Sequence, residues 1–276
     1  MKKKYQTRLT AWLALATFMV AISGFGIGTV NAYEVGVEWT NDYGFLYYDP
    51  DEGLIYLGDL SGCDDDAIDF YNKLGNDGWS QDFNWGDANA WEEDFKKESL
   101  GGTDYIWIDE QDFAFYAGHG SPTGFYFNND HDDKKLRCTD TNHDAEWGND
   151  DNQDLEWIAL ACCEVLKNSD DDGAWYERWG WGVFKGLHQI DGFDTSISDN
   201  PNHGEIFADY MIVNEYTIKT AWFKMADDTE GSGVKAVVMG VCDSGYATYD
   251  DHLWGHGSVA SDKTDPSCLF WSPHTV

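Results

Sequence analysis

Two apolar runs in the chain end abruptly at reactive side chains. Phe113-Ala114-Phe115-Tyr116-Ala117 stops at Gly118-His119-Gly120, and Trp157-Ile158-Ala159-Leu160-Ala161 stops at Cys162-Cys163. Runs of this length and continuity predict strands buried on both faces, as in a parallel sheet. Around them, Tyr33–Trp39 alternates and predicts the first strand. Phe45–Asp59 predicts a hairpin turning at Asp49-Pro50-Asp51-Glu52-Gly53. Asp64-Asp65-Asp66 opens a helix to about Leu74, acids at a helix start suiting the macrodipole, and Gly75 and Gly78 end it. Further helices are expected over Ala88–Lys97, Trp175–Lys185 and Gly204–Ala226, with a short helix start over Glu164–Asn168. Tyr105–Asp109 reads as a short strand or turn, Gly186–Phe193 as a strand, and Val234–Val241 as the last apolar strand. Strands alternating with helices predict an α/β fold: a mostly parallel sheet flanked by helices on both faces.

The amino-terminal residues 1–32 read as a secretory signal peptide. Lys2, Lys3, Lys4 and Arg8 precede an apolar stretch, Ala11–Ile22, and Val30-Asn31-Ala32 offers small residues for cleavage. Residues 33–276 then form a single domain, large enough for a substantial core. Export implies an extracellular, secreted location, and no later segment is apolar enough to span a membrane.

The net charge of −34 becomes more negative still once those four cations are removed. Nucleic acid and anionic membrane are excluded as partners on that sign. A salt-adapted surface, calcium binding and an acidic groove for cationic substrates each account for the excess of acid. Residues 129–154 concentrate oxygen ligands, among them Asp130, Asp132, Asp140 and Asp144, which are the candidate ligands for a structural Ca2+. No stretch has EF-hand spacing, so a solvated acidic loop is the competing reading. The aromatic content of 16% sets the chain apart from disordered acidic sequences.

Six cysteines remain after export: Cys63, Cys138, Cys162, Cys163, Cys242 and Cys268. An oxidising compartment permits disulfides, and no C-x-x-C spacing points to a metal site. If one thiol of the 162–163 pair is a nucleophile, at most two bridges form.

Ligands in open parallel sheets bind beyond the carboxyl ends of the strands. Adjacent strands ending at His119 and at Cys162-Cys163 therefore place an imidazole and a thiol at one edge, which is the requirement for Cys-His nucleophilic chemistry. Period-2 alternation puts Ile158, Leu160 and Cys162 on one face and Ala159, Ala161 and Cys163 on the other. Either sulfur satisfies the pattern. A second Gly-His-Gly-Ser at Gly255–Ser258 follows no apolar run and reads as a loop. His188 lies within a strand pattern as a packed or hydrogen-bonded residue, and His131 and His143 read as solvated members of the acidic loop.

The order strand–His-Gly, spacer, strand–Ala-Cys-Cys resembles the caspase-like superfamily of cysteine peptidases: caspases, gingipains, clostripain, legumains and separases. Tyr33–Trp39, Gly86–Asp94, Gly118–Ser121 and Trp157–Leu166 are further similar to a family of uncharacterised secreted archaeal and bacterial proteins with caspase-like motifs. That resemblance covers most of residues 33–276. It implies a caspase-like fold and a peptide or protein substrate. It implies that His119 is the catalytic histidine, and that the backbone N–H groups of Gly120 and the cysteine form the oxyanion hole. Aligning Glu164-Val165-Leu166 with the closer family favours Cys163 over Cys162 as nucleophile. The thiol is expected near a helix N-terminus, which would lower its pKa. The resemblance requires no cofactor for the chemistry. The alternatives are a non-catalytic secreted binding protein on the same fold and a metal-dependent hydrolase, for which ligand spacings are lacking.

Overall fold

The structure is a computed structural model and describes residues 33–49, 53–128, 131, 133–139, 142–148 and 154–276. Residues 33–276 form one compact unit. Its frame is a seven-stranded sheet built from β1 (Glu34–Trp39), β4 (Ser80–Gly86), β5 (Phe113–Ala117), β10 (Trp157–Ala161), β13 (Gln189–Phe193), β14 (Lys235–Val241) and β15 (Leu269–Thr275). The order across the sheet is β15-β14-β13-β10-β5-β1-β4. The pairs from β4 to β13 are parallel, while β14 and β15 run antiparallel to their neighbours. The sheet is therefore mostly parallel, as its apolar runs predict. Every residue of β5, β10 and β13 is buried, because central strands are covered on both faces.

One face is covered by helices. Among the described residues the α-helices are α1 (Cys63–Asp77), α2 (Trp175–Arg178), α3 (Gly180–Val183), α4 (His203–Ile212) and α5 (Ile218–Thr229), and it is α1, α4 and α5 that form this layer. Cys63, Ala67, Phe70 and Leu74 of α1 recur at helical spacing and pack with Phe207 and Met211 of α4 and Trp222 and Met225 of α5 against Val37, Phe115, Ala159 and Val238. Fully burying each such aromatic or aliphatic side chain contributes about 1.5–3 kcal/mol.

The other face departs from the expectation of helices on both sides. Ile158, Leu160 and Cys162 are met there by Phe95, Phe125, Phe127, Trp147 and Trp179. Phe95 closes the 3-10 turn Glu92–Asp94, Phe125 and Phe127 lie in and just after a strand of a small antiparallel sheet, Trp147 bridges to Phe184, and Trp179 joins the four-residue helices α2 and α3. That sheet comprises β6 (Gly120–Ser121), β7 (Gly124–Tyr126), β8 (Lys135–Thr139) and β9 (Asn142–His143). The helix expected over Ala88–Lys97 is replaced by 3-10 turns at Asp87–Asn89 and Glu92–Asp94, where the Trp91 N–H is taken by the buried Glu38 carboxylate. Large aromatic side chains cover this face without a long helical stripe.

Three other elements differ from expectation. Gly204–Ala226 is two helices, broken at Val213–Thr217 where Glu215 has φ 53°. Gly75 lies inside α1, which ends at left-handed Gly78. Trp175–Lys185 is divided between α2 and α3. The predicted hairpin is present as β2 (Phe45–Asp49) and β3 (Gly53–Leu57), with its turn outside the described residues. A second two-stranded ribbon pairs β11 (Ser169–Asp170) with β12 (Gly173–Ala174). Cys242 and Cys268 form a disulfide joining the end of β14 to the start of β15, and Cys63, Cys138, Cys162 and Cys163 are free. No helix among the described residues is long and apolar enough to cross a membrane.

Candidate active site

β5 and β10 are neighbours in register, Ala117 opposite Ala161, so the segments that follow them leave the same edge of the sheet side by side. His119 and Cys163 lie two residues beyond these ends, and both line one cavity of about 110 Å³. The cavity is bounded by the start of α1 through Gly62, Cys63 and Asp66, and by Ile197–Asn200 and His203 beyond β13. It thus sits at the carboxyl edge of the parallel strands, where the loops of three of them converge.

His119 is fixed from three sides. Its backbone N–H donates to the Tyr43 hydroxyl (3.0 Å). Its Nε2 lies 2.8 Å from the Gly58 carbonyl oxygen, just after β3. Its ring stands edge-on to that of Tyr43, with centroids 4.6 Å apart. A carbonyl only accepts, so Nε2 carries the proton and Nδ1 of the neutral ring carries the lone pair. Burial holds the imidazole below its ordinary value, favouring that neutral form. Gly118 must be glycine for this arrangement, since an added Cβ would stand 2.6 Å from the Tyr43 hydroxyl and 2.7 Å from that of Tyr116.

Cys163 begins a tight turn, not the expected helix. The turn, Cys163–Leu166, has Glu164 at φ 57° and is tied to β13 through Glu164 N–H to Thr195 O (3.1 Å) and Leu166 N–H to Phe193 O (3.0 Å). There is no helix N-terminus to lower the thiol, and burial, outweighing the hydrogen bond from the Ile197 backbone, raises it above its ordinary value. Its Sγ accepts from the Ile197 N–H at 3.4 Å. Cys162 points to the opposite face, is fully buried with Leu160 and Val165, and is raised well above the ordinary thiol value by burial. Strand alternation thus separates the two sulfurs: only Cys163 lines the cavity. Gly120 packs against this turn, where an added Cβ would lie 2.6 Å from the Cys163 carbonyl oxygen.

Several residues of the site carry no motif. Asp66 accepts from the Gly204 N–H, and its Oδ2 lies 3.4 Å from His203 Nδ1. His203 Nε2 is 2.7 Å from Glu230 Oε1. Burial alone would lower His203, but the two carboxylates outweigh it and raise the ring to about 9. Glu230 also accepts from the Ser198 hydroxyl (2.8 Å), and Asp199 accepts from the N–H groups of Ser61 (2.6 Å) and Gly62 (3.0 Å). These bonds hold the segment after β13 against α1. Asp66 was legible in part: it falls on the α1 stripe with Cys63, Ala67, Phe70 and Leu74, so its acid is buried instead of serving the macrodipole.

Among the proposed calcium ligands, Asp130, Asp132 and Asp140 lie outside the described residues. Asp144 is buried, and its carboxylate accepts from the Arg137 N–H (2.7 Å). No group of three or more metal-ligating side chains occurs among the described residues. His131 is not simply solvated: its ring stacks on Trp91 at 4.0 Å and its Nδ1 meets Glu93 (2.6 Å). His188 is hydrogen-bonded to Asp251 (2.7 Å). Gly255–Ser258 is a loop, where His256 meets Asp77 (2.7 Å).

No curated protein matches the chain. A family described as a domain of unknown function (DUF6345) matches residues 37–274, and the chain belongs to that family.

Proposed function

We propose that the protein is a secreted, caspase-like cysteine peptidase that hydrolyses peptide bonds with Cys163 as nucleophile and His119 as its base. The observation that carries this reading is that both side chains, delivered by adjoining parallel strands, line the same cavity. The cysteine is a thiol at rest, because burial raises it and no cation among the described residues stands beside it to offset that. His119 Nδ1 takes the thiol proton as sulfur attacks the peptide carbonyl. The C–N bond then breaks and the same proton passes to the leaving amine. Water attacks the thioester, His119 again accepting its proton, and the carboxylic acid and the free thiol are released. Backbone N–H groups of Gly120 and Cys163 are assigned to the oxyanion. The Cys242–Cys268 disulfide supports export to an oxidising compartment.

One observation favours the second reading, a non-catalytic binding protein on the same fold: the Cys163 sulfur is engaged by the Ile197 backbone. A broad peptide library incubated with the exported protein, reductant and calcium decides between them. Hydrolysis that is lost in Cys163→Ala and on thiol alkylation supports the peptidase. No thiol-dependent hydrolysis supports the binding protein.

A further inference from the structure

We propose that the cavity beside Cys163 is a pocket for a positively charged side chain, an arginine or lysine, recognised by Asp66 and Asp199. Calling that side chain the residue preceding the cleaved bond rests on the peptidase reading; the recognition itself does not.

The charges around the cavity are one-sided. Asp66 and Asp199 line it, and no lysine or arginine among the described residues does. Its two imidazoles do not reverse the sign. His119 is held neutral by burial and by its bond to Gly58. His203 is spent between two acids, Asp66 and Glu230, so its charge is already paired within the wall of the cavity. The only arginines in residues 33–276 are committed elsewhere. Arg137 meets Asp133 and the Tyr47 hydroxyl, and buried Arg178 meets Asp170 and the carbonyls of Lys167 and Gly173. An acidic side chain would enter against like charge with no cation to receive it.

Geometry agrees with charge. A cavity of about 110 Å³ admits the head of one side chain, and its wall carries the candidate nucleophile. Asp66 is 3% exposed and held on the rigid face of α1, so it loses little freedom on binding. An ionised carboxylate offers about four acceptor positions. The Gly204 N–H and His203 account for two on Asp66. A guanidinium or ammonium group supplies donors and a charge to such an acceptor, and a planar guanidinium suits two-point pairing.

The test uses Cys163→Ala protein, which binds without turning over. Nα-acetyl-arginine amide and its neutral isostere Nα-acetyl-citrulline amide are titrated separately and followed by calorimetry. Arginine should bind at least tenfold more tightly, and that ratio should fall towards one in Asp66→Asn and in Asp199→Asn. Asp199 is exposed, so its variant stands as a test even where Asp66→Asn does not fold. Loosening of the loop would weaken both ligands alike, whereas loss of recognition weakens only arginine. Equal binding of the two ligands, no saturable binding of either, or a ratio unchanged in both variants overturns the pocket. Cys163-dependent cleavage only after acidic or apolar residues overturns the pocket and leaves the peptidase standing. Arginine binding that needs Asp66 or Asp199, in a protein that cleaves nothing, keeps the pocket and removes the peptidase.

Discussion

His119 Nε2 donates to the carbonyl oxygen of Gly58 at 2.8 Å, which leaves Nδ1 as the basic nitrogen of a ring that burial keeps neutral. The hairpin β2–β3 matters to the site for this reason: its exit segment supplies the acceptor that selects the tautomer. A base lowered from 6.5 and a thiol raised from 9.0 do not form a resting ion pair. The acid limb of kcat/KM should therefore lie below pH 6.5, where His119 becomes protonated, and the rate should stay flat through pH 8. An acid limb above pH 7, or a rate climbing steadily with thiol ionisation, would contradict this protonation state.

Tyr43 accepts from the His119 N–H and donates to the Tyr126 carbonyl (2.6 Å). Tyr43→Phe leaves the half-buried His119 N–H without its partner, while the Tyr126 carbonyl keeps the Tyr116 hydroxyl, and the unmet N–H costs roughly 1–3 kcal/mol of folding stability. The ring contact is retained, so the histidine backbone loosens while the pocket survives. Urea denaturation should register the loss, and kcat should fall while KM holds.

The two cysteines should separate cleanly. Cys163→Ala abolishes turnover and leaves the melting temperature close to that of the parent, since the sulfur is in the cavity lining. Cys162→Ala keeps activity and loses about 1 kcal/mol, the usual scale for removing one buried group. Gly120→Ala loses both, because its methyl must displace the Cys163 carbonyl, and overpacking of this kind costs roughly 1–3 kcal/mol. Activity that depends on Cys162 instead would move the nucleophile to the other face of the strand.

Why the sequence located the edge of the site but not its floor is a matter of burial. β5 and β10 are buried on both faces, so their composition alone announces them, and the polar residues that end them mark the edge. β4, Ser80–Gly86, is an edge strand whose only large apolar residues are Phe83 and Trp85, and it carries no such run. β15 contains Pro273 and is only partly buried, so it reads as a tail although it completes the sheet. β14 pairs antiparallel to β13, a sense that its own apolar run does not signal. The floor of the site comes from pairs far apart in sequence. Asp66 finds Gly204, and Asp199 finds Ser61, only once α1 and the segment after β13 are packed together. The loss of the expected helix after Cys163 has a local cause in left-handed Glu164, a conformation that a non-glycine residue seldom signals.

Stability should rise on mild acidification, against the usual trend. Asp191 lies in the middle of β13, fully buried, and neither carboxyl oxygen has a hydrogen-bond partner. Burial pushes it well above 3.8. Burial likewise raises Asp112 to about 7, Asp104 to about 8 and, with repulsion from Asp112 and Asp154, Glu156 to about 10. For each, the folded chain holds a proton that the unfolded chain has released above its ordinary value. Folding therefore loses stability as pH rises from about 4 towards the folded values. His203 acts in the same direction. Its folded value, about 9, stands above 6.5, so its contribution is complete below 6.5 and is lost as pH rises through 9. The melting temperature should be higher at pH 5 than at pH 8. Asp191→Leu, an apolar side chain of similar shape, should stabilise the fold by roughly 1–3 kcal/mol, the cost of an unsatisfied buried polar group. The gain should be larger at pH 8, where keeping the acid protonated costs most. Thermal melts of both proteins at the two pH values read this directly. An equal gain at pH 5 and pH 8 would mean that Asp191 does not contribute to the pH dependence, and a higher melting temperature at pH 8 for the parent would overturn the sign for the whole set.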